Sequence, residues 1–113
     1  MSRRLPKINK HIQRVFGEIL LKEADLPVDV MVTVSMVNTA PNLKSAEIGL
    51  YVYPIERADE ILKALNSQIY DLQGFLNREL DFRPLPRIRL RIDYGAQKSD
   101  NINQVLRKLK EKE

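Results

Sequence analysis

Apolar positions in residues 7–23, KINKHIQRVFGEILLKE, recur at helical spacing: Ile8, Ile12, Val15, Phe16, Ile19 and Leu20 make one stripe. Pro6 suits the first turn, and Ala24-Asp25-Leu26-Pro27 closes the segment. At about 100° per residue, Lys7, Lys10 and Arg14 fall in a narrow arc opposite that stripe. The helix so predicted has a core face and a basic face. The period then drops to two. Residues 28–37 read as a strand with Val30, Val32, Val34 and Met36 on one face and Met31, Thr33, Ser35 and Val37 on the other. After a loop containing Pro41 and Asn42, both turn formers, Ala46, Ile48, Leu50 and Val52 alternate with Glu47, Gly49, Tyr51 and Tyr53. Two strands joined by a short loop predict an antiparallel pair.

From Glu56 to Leu80 the helical period returns through Ile61, Leu62, Leu65, Ile69, Leu72, Leu76 and Leu80. Glu56, Asp59 and Glu60 crowd its start, where the helix dipole favours carboxylates. Gly74 interrupts the run, so a kink or a break is expected at Leu72-Gln73-Gly74. Residues 81–86, DFRPLP, end the helix and lead into RIRLRIDY, where Arg87, Arg89 and Arg91 alternate with Ile88, Leu90 and Ile92. Ser99 is placed to cap a last helix with the stripe Ile102, Val105, Leu106 and Leu109. The order is α-β-β-α-(kink)-α-β-α, an α+β chain with one three-stranded sheet and its helices on one face. The opposite face is expected to show Thr33, Ser35, Tyr51, Tyr53 and the three arginines to solvent.

Length and charge sharpen this. At 113 residues the chain reads as one domain spanning 1–113. Without cysteine it has neither a disulfide framework nor a thiolate metal site. Its apolar runs are too short to span a bilayer and its basic N-terminus lacks the apolar stretch of a secretory signal, so a cytoplasmic protein is expected. The net charge is +4, but it is unevenly placed. Residues 1–22 carry six basic groups against Glu18, and residues 83–113 carry nine against four acidic; residues 23–82 carry four basic and ten acidic. Basic ends around an acidic centre predict a bipolar surface that favours a polyanion on one side.

Candidate catalytic groups are scarce. His11 is the only histidine and flanks the first apolar stripe, where a boundary role outweighs metal ligation. Glu56, Asp59 and Glu60 are better read as dipole complements than as an acid–base set. No phosphate-cradling glycine loop and no nucleophile elbow occur. A binding protein without cofactor or metal is expected, not an enzyme. Each basic group taken singly has a bland reading: Arg87, Arg89 and Arg91 as a solubilised strand, Lys7, Lys10 and Arg14 as a solvated helix face. Tyr51 and Tyr53 read first as cross-strand packing and only second as stacking platforms for bases. The concentration of basic groups in both terminal segments, around an acidic central helical segment, favours phosphate contact. The candidate RNA-binding set is Lys7, Lys10, Arg14, Arg78, Arg83, Arg87, Arg89 and Arg91.

The α-β-β-α-α-β core has the order of a type II KH domain, but its G-x-x-G loop is absent, with Leu72-Gln73-Gly74-Phe75 in its place. In this the chain resembles the ribosome-binding factor A family, bacterial small-subunit assembly factors in which a kinked Ala-x-Gly helix junction replaces the loop. INKHIQRVFGEIL is similar to the family's opening helix, and VTVSMV with NLKSAEIGLYV to its strand pair. Pro86, Ile88, Leu90 and Asp93 match its P-x-[IL]-x-[FL]-x-x-D strand, and SDNINQVLRKL its closing helix. Leu72 stands where alanine is usual, and Asn42 where aspartate is usual. The resemblance implies binding of a monomer to free, immature 30S ribosomal subunits and support for late 16S rRNA processing. It also implies work alongside assembly GTPases, importance in cold growth, and no membrane. Two other readings stay open: a free-standing KH-like RNA-binding protein for other transcripts, and a protein-interaction adaptor that docks a basic partner on the acidic helical face.

Overall fold

The computed structural model describes residues 4–83 and 85–95. α1 (Arg4–Lys22) is followed by β1 (Met31–Thr39) and β2 (Ser45–Tyr53), then a 3₁₀ turn (Ile55–Arg57), α2 (Ala58–Ser67), α3 (Ile69–Glu79) and β3 (Arg87–Ile92). β2 is central, antiparallel to β1 and parallel to β3. A parallel neighbour requires a crossover, which α2 and α3 supply. The helix expected from Ser99 onward lies outside the described residues.

The stripes meet where the periodicities place them. Ile12, Val15, Phe16, Ile19 and Leu20 of α1 are buried together with Ile61, Leu65, Leu72 and Leu76 of α2 and α3. They cover the sheet face that carries Val32, Ala46, Ile48, Leu50, Val52, Ile88 and Ile92. α1 also serves the backbone of β1: Asn9 Oδ1 accepts from the Thr39 N–H (3.0 Å), and Gln13 Nε2 donates to the Val34 carbonyl (3.3 Å). Two polar residues four apart on one helix face thus answer the backbone of an edge strand.

Two expectations need correction. In β1 the alternation does not run unbroken: Val34 pairs with Leu50 but Met36 with Gly49, so Ser35 is an extra residue in the ladder. This β-bulge resets the faces. Met36 turns to the open side and Val37 (8% exposed) turns inward opposite Ile48. The bulge is held by the Ser35 hydroxyl donating to Asp93 Oδ2 (2.8 Å) and by the room above Gly49, where a Cβ would stand 2.8 Å from Met36 Cγ and Sδ. The second correction concerns the helix break, which falls at Gln68, while Leu72, Gln73 and Gly74 lie inside α3. Gln68 leaves helical geometry (φ −105°, ψ 7°), its side chain accepts from the Asp25 N–H (2.8 Å), and it donates to the carbonyls of Asp25 and Ala64 (3.0 Å each). An anchor to the loop after α1 therefore sets the joint, not a glycine.

Candidate nucleic-acid interface

The β1–β2 connection is a tight turn in which Leu43 N donates to Ala40 O and Asn42 Oδ1 accepts from Lys44 N (2.8 and 2.9 Å). This is the Asx geometry expected of Asn42. Leu43 adopts φ 61°, an uncommon left-handed conformation for a branched residue. Beside this turn β3 begins, tied to it by Arg87 N donating to Lys44 O (3.1 Å). Across the strand, α3 presents Gln73, which clamps the outer edge of β3. Its Oε1 accepts from the Ile88 N–H (2.9 Å) and its Nε2 donates to the Pro86 carbonyl (3.2 Å). The same Nε2 donates to Asn77 Oδ1 (3.0 Å), and the Asn77 amide donors have no partner among the described residues.

These elements enclose an open groove of about 650 Å³, lined by Leu43, Lys44, Ser45, Gln73, Asn77, Leu85, Arg87 and Arg89. Lys44, Arg87 and Arg89 form no ion pair with any described residue. Three unneutralised cations and an amide donor around a partly apolar floor suit a phosphodiester. A second depression of about 330 Å³ holds Leu5, Lys7, Ile8, Pro41, Leu43, Phe82 and Arg83. Leu43 lines both, so the basic start of α1 adjoins the arginine strand at this turn.

The other expected contacts divide. Lys10 and Arg14 are exposed on α1 outside both depressions, and Arg14 reaches Glu18 one turn on (3.7 Å). Arg78 lies over the Phe75 ring, 4.9 Å from its centre, away from the groove lining. Arg83 spends its guanidinium on the carbonyls of Asn77, Leu80 and Phe82 (2.8–3.1 Å), a cap on the end of α3 where a cation also meets the helix dipole. Arg91 is bound by Glu47 through an Nε–Oε1 contact of 2.5 Å. On the same face Tyr53 is exposed, but Tyr51 (8% exposed) is buried and offers no stacking surface. Sequence reasoning missed Lys44, Glu47 and the clamp of Gln73. Lys44 carried a signal, a cation beside a turn former; the other two depend on strand pairing that periodicity does not specify.

The strongest ionic cluster lies at the far end of β2. Arg57, just beyond Tyr53, binds Asp29 (2.7 Å) and Glu60 (2.9 Å). The Arg57 guanidinium holds both carboxyls below their ordinary range, and they raise it in turn. The basic groove sits at the start of β2 and these acids at its end, about 25–30 Å of extended strand apart. Among the described residues no group of three or more His, Cys, Asp and Glu side chains is placed to hold a metal ion. No helix there is long and apolar enough to cross a membrane.

The family model for ribosome-binding factor A matches residues 4–106. The chain belongs to the ribosome-binding factor A family. It is 32% identical over 121 residues to the ribosome-binding factor A of Fusobacterium nucleatum, covering 96% of this chain and 98% of that relative. The crystal structure of ribosome-binding factor A from Thermus thermophilus superposes with a TM-score of 0.68 at 19% identity, covering 78% of this chain and 93% of that one. A Thermus thermophilus ribosome-binding factor A model fitted into an electron-microscopy map of its complex with the 30S subunit gives a TM-score of 0.63 at 20% identity, with 74% and 88% coverage. The KH-like fold expected from the order of elements is therefore the fold of this chain.

Proposed function

We infer that this chain binds the free 30S ribosomal subunit as a monomer in the cytoplasm and assists late maturation of its 16S rRNA by binding, not by catalysis. The observation that carries this reading is the groove in which Lys44, Arg87 and Arg89 converge without a carboxylate partner among the described residues. Membership of the family and the 30S complex of the Thermus relative support it. Cations on an open surface attach to RNA backbone wherever its shape brings phosphates into register, and they read little sequence. Such contacts are screened by salt and reversible, which suits a factor that leaves before translation, with assembly GTPases as partners in that release. A binder that prefers one rRNA conformer shifts the population toward it, which matters most in cold growth, where misfolded RNA persists.

The test is gradient sedimentation of the tagged protein with cell extract at modest salt. Wild-type protein is expected on free 30S subunits and not on assembled ribosomes. The Arg87→Glu/Arg89→Glu variant, both side chains being exposed, is expected to fold normally and remain at the top of the gradient. Equal co-sedimentation of the two proteins would exclude the groove as the site.

A further inference from the structure

The arginine row is not uniform. Arg87 and Arg89 carry no ion pair with a described residue, whereas Arg91 is occupied on every side. Its Nε meets Glu47 Oε1 at 2.5 Å, one terminal amine contacts Met36 Sδ at 3.3 Å, and the other lies 3.5 Å from the Ile92 carbonyl. Glu47 stands within the row itself: it is the register partner of Arg89 on the neighbouring strand. Its carboxylate therefore sits between the free arginines and the bound one. The bulge at Ser35 completes the arrangement by turning Met36 over Gly49 and under Arg91. Side chains of Glu47 and Arg91 are about half exposed (48% and 45%), so the pair is open to exchange with a dissolved or polymeric anion.

A carboxylate and a phosphodiester offer a guanidinium the same ligand, two anionic oxygens in one plane. We propose that Arg91 is a phosphate-binding site which Glu47 occupies in the free protein, so that an RNA backbone extending from the Arg87–Arg89 groove along β3 seats its next phosphate only by displacing Glu47. The proposal rests on the reading of the groove as an rRNA site and adds an internal competitor to it. Its consequence is restrained affinity: one phosphate contact forms at the cost of one ion pair, which leaves the complex easier to dissolve.

A double-mutant cycle tests this. Wild type, Glu47→Gln, Arg91→Gln and the double variant are titrated against purified 30S subunits and against labelled oligouridylate over a series of KCl concentrations. Both substituted side chains are about half exposed, and thermal melts check that the proteins stay folded. Glu47→Gln is expected to bind roughly two- to fivefold more tightly, the range set by the worth of an exposed ion pair. Its log K against log salt slope should steepen by about 0.7, one additional single-strand phosphate contact. Arg91→Gln alone should bind close to wild type, and the double variant should lose the gain. If the gain persists in the double variant, Glu47 acts by general repulsion and the proposal is overturned. It is also overturned if Glu47→Gln matches wild type on 30S subunits to which wild type binds. Failure of every variant on both ligands would remove the groove reading together with this one. A gain on oligouridylate that needs Arg91, without 30S binding by any protein, would remove the ribosomal reading and leave the phosphate site standing.

Discussion

Thr39 Oγ1 is the one buried side-chain polar atom that the described residues leave without a hydrogen-bond partner. Thr39 closes β1 opposite Ala46, and its backbone N–H is already answered by Asn9. The hydroxyl therefore bears a desolvation cost of about 1–3 kcal/mol with no bond in return. Thr39→Val removes that oxygen and keeps a β-branched shape suited to the strand. The expected result is a gain of roughly 1 kcal/mol in urea unfolding, with no change in RNA binding. A loss of stability would mean that the hydroxyl has a partner outside the described residues. Arg83 shows a second way in which a single residue departs from its charge. Counted as an RNA contact, it is first a cap, and its substitution should be felt in the stability of α3 before it is felt in binding.

At the scale of the element, the joint between α2 and α3 is where local sequence and observed structure part. The glycine marks a weak point in the periodic run, but α3 passes through Gly74 with nothing within 4 Å of the position a Cβ would occupy. A helical glycine without a steric role costs conformational entropy. Gly74→Ala is therefore expected to stabilise the protein by about 0.5–1 kcal/mol. Gln68→Ala removes three hydrogen bonds to Asp25 and Ala64 and should destabilise it by a comparable or larger amount. Paired urea melts decide between the two joints: the opposite signs would return the kink to Gly74. The amphipathic stripes were legible because each repeats one simple period several times. The Gln68 joint was not, because it depends on a loop 43 residues away, and the Ser35 bulge was not, because an extra residue leaves no mark in an alternating pattern until its partner strand is known.

For the whole molecule, the division of charge along the chain becomes a division along β2. Lys7, Arg83, Arg87 and Arg89 from the two basic ends gather at its start, while Asp29 and Glu60 of the acidic centre gather at its end. That much of the site was legible in composition; which cations share a groove and which are spent on carbonyls or on Glu47 required the fold. The acidic end is also where pH acts on stability. Arg57 lowers the carboxyls of both Asp29 and Glu60. The folded protein thus binds fewer protons than the unfolded chain over the carboxylate range. Stability from this cluster is complete above the ordinary carboxylate values and is lost as pH falls through the lowered ones. Arg57 itself stays protonated throughout and adds no pH dependence. Arg57→Gln should accordingly lower the melting temperature at neutral pH, where both partners are charged. The difference from wild type should shrink on acidification and close once the pH has fallen below the lowered values, where both carboxyls are protonated in either state. Both carboxylates are exposed, so added salt should narrow the neutral-pH difference as well. Melting curves of the two proteins that fall in parallel across that range would show that the cluster joins the loop before β1 to α2 in geometry alone, without contributing to stability.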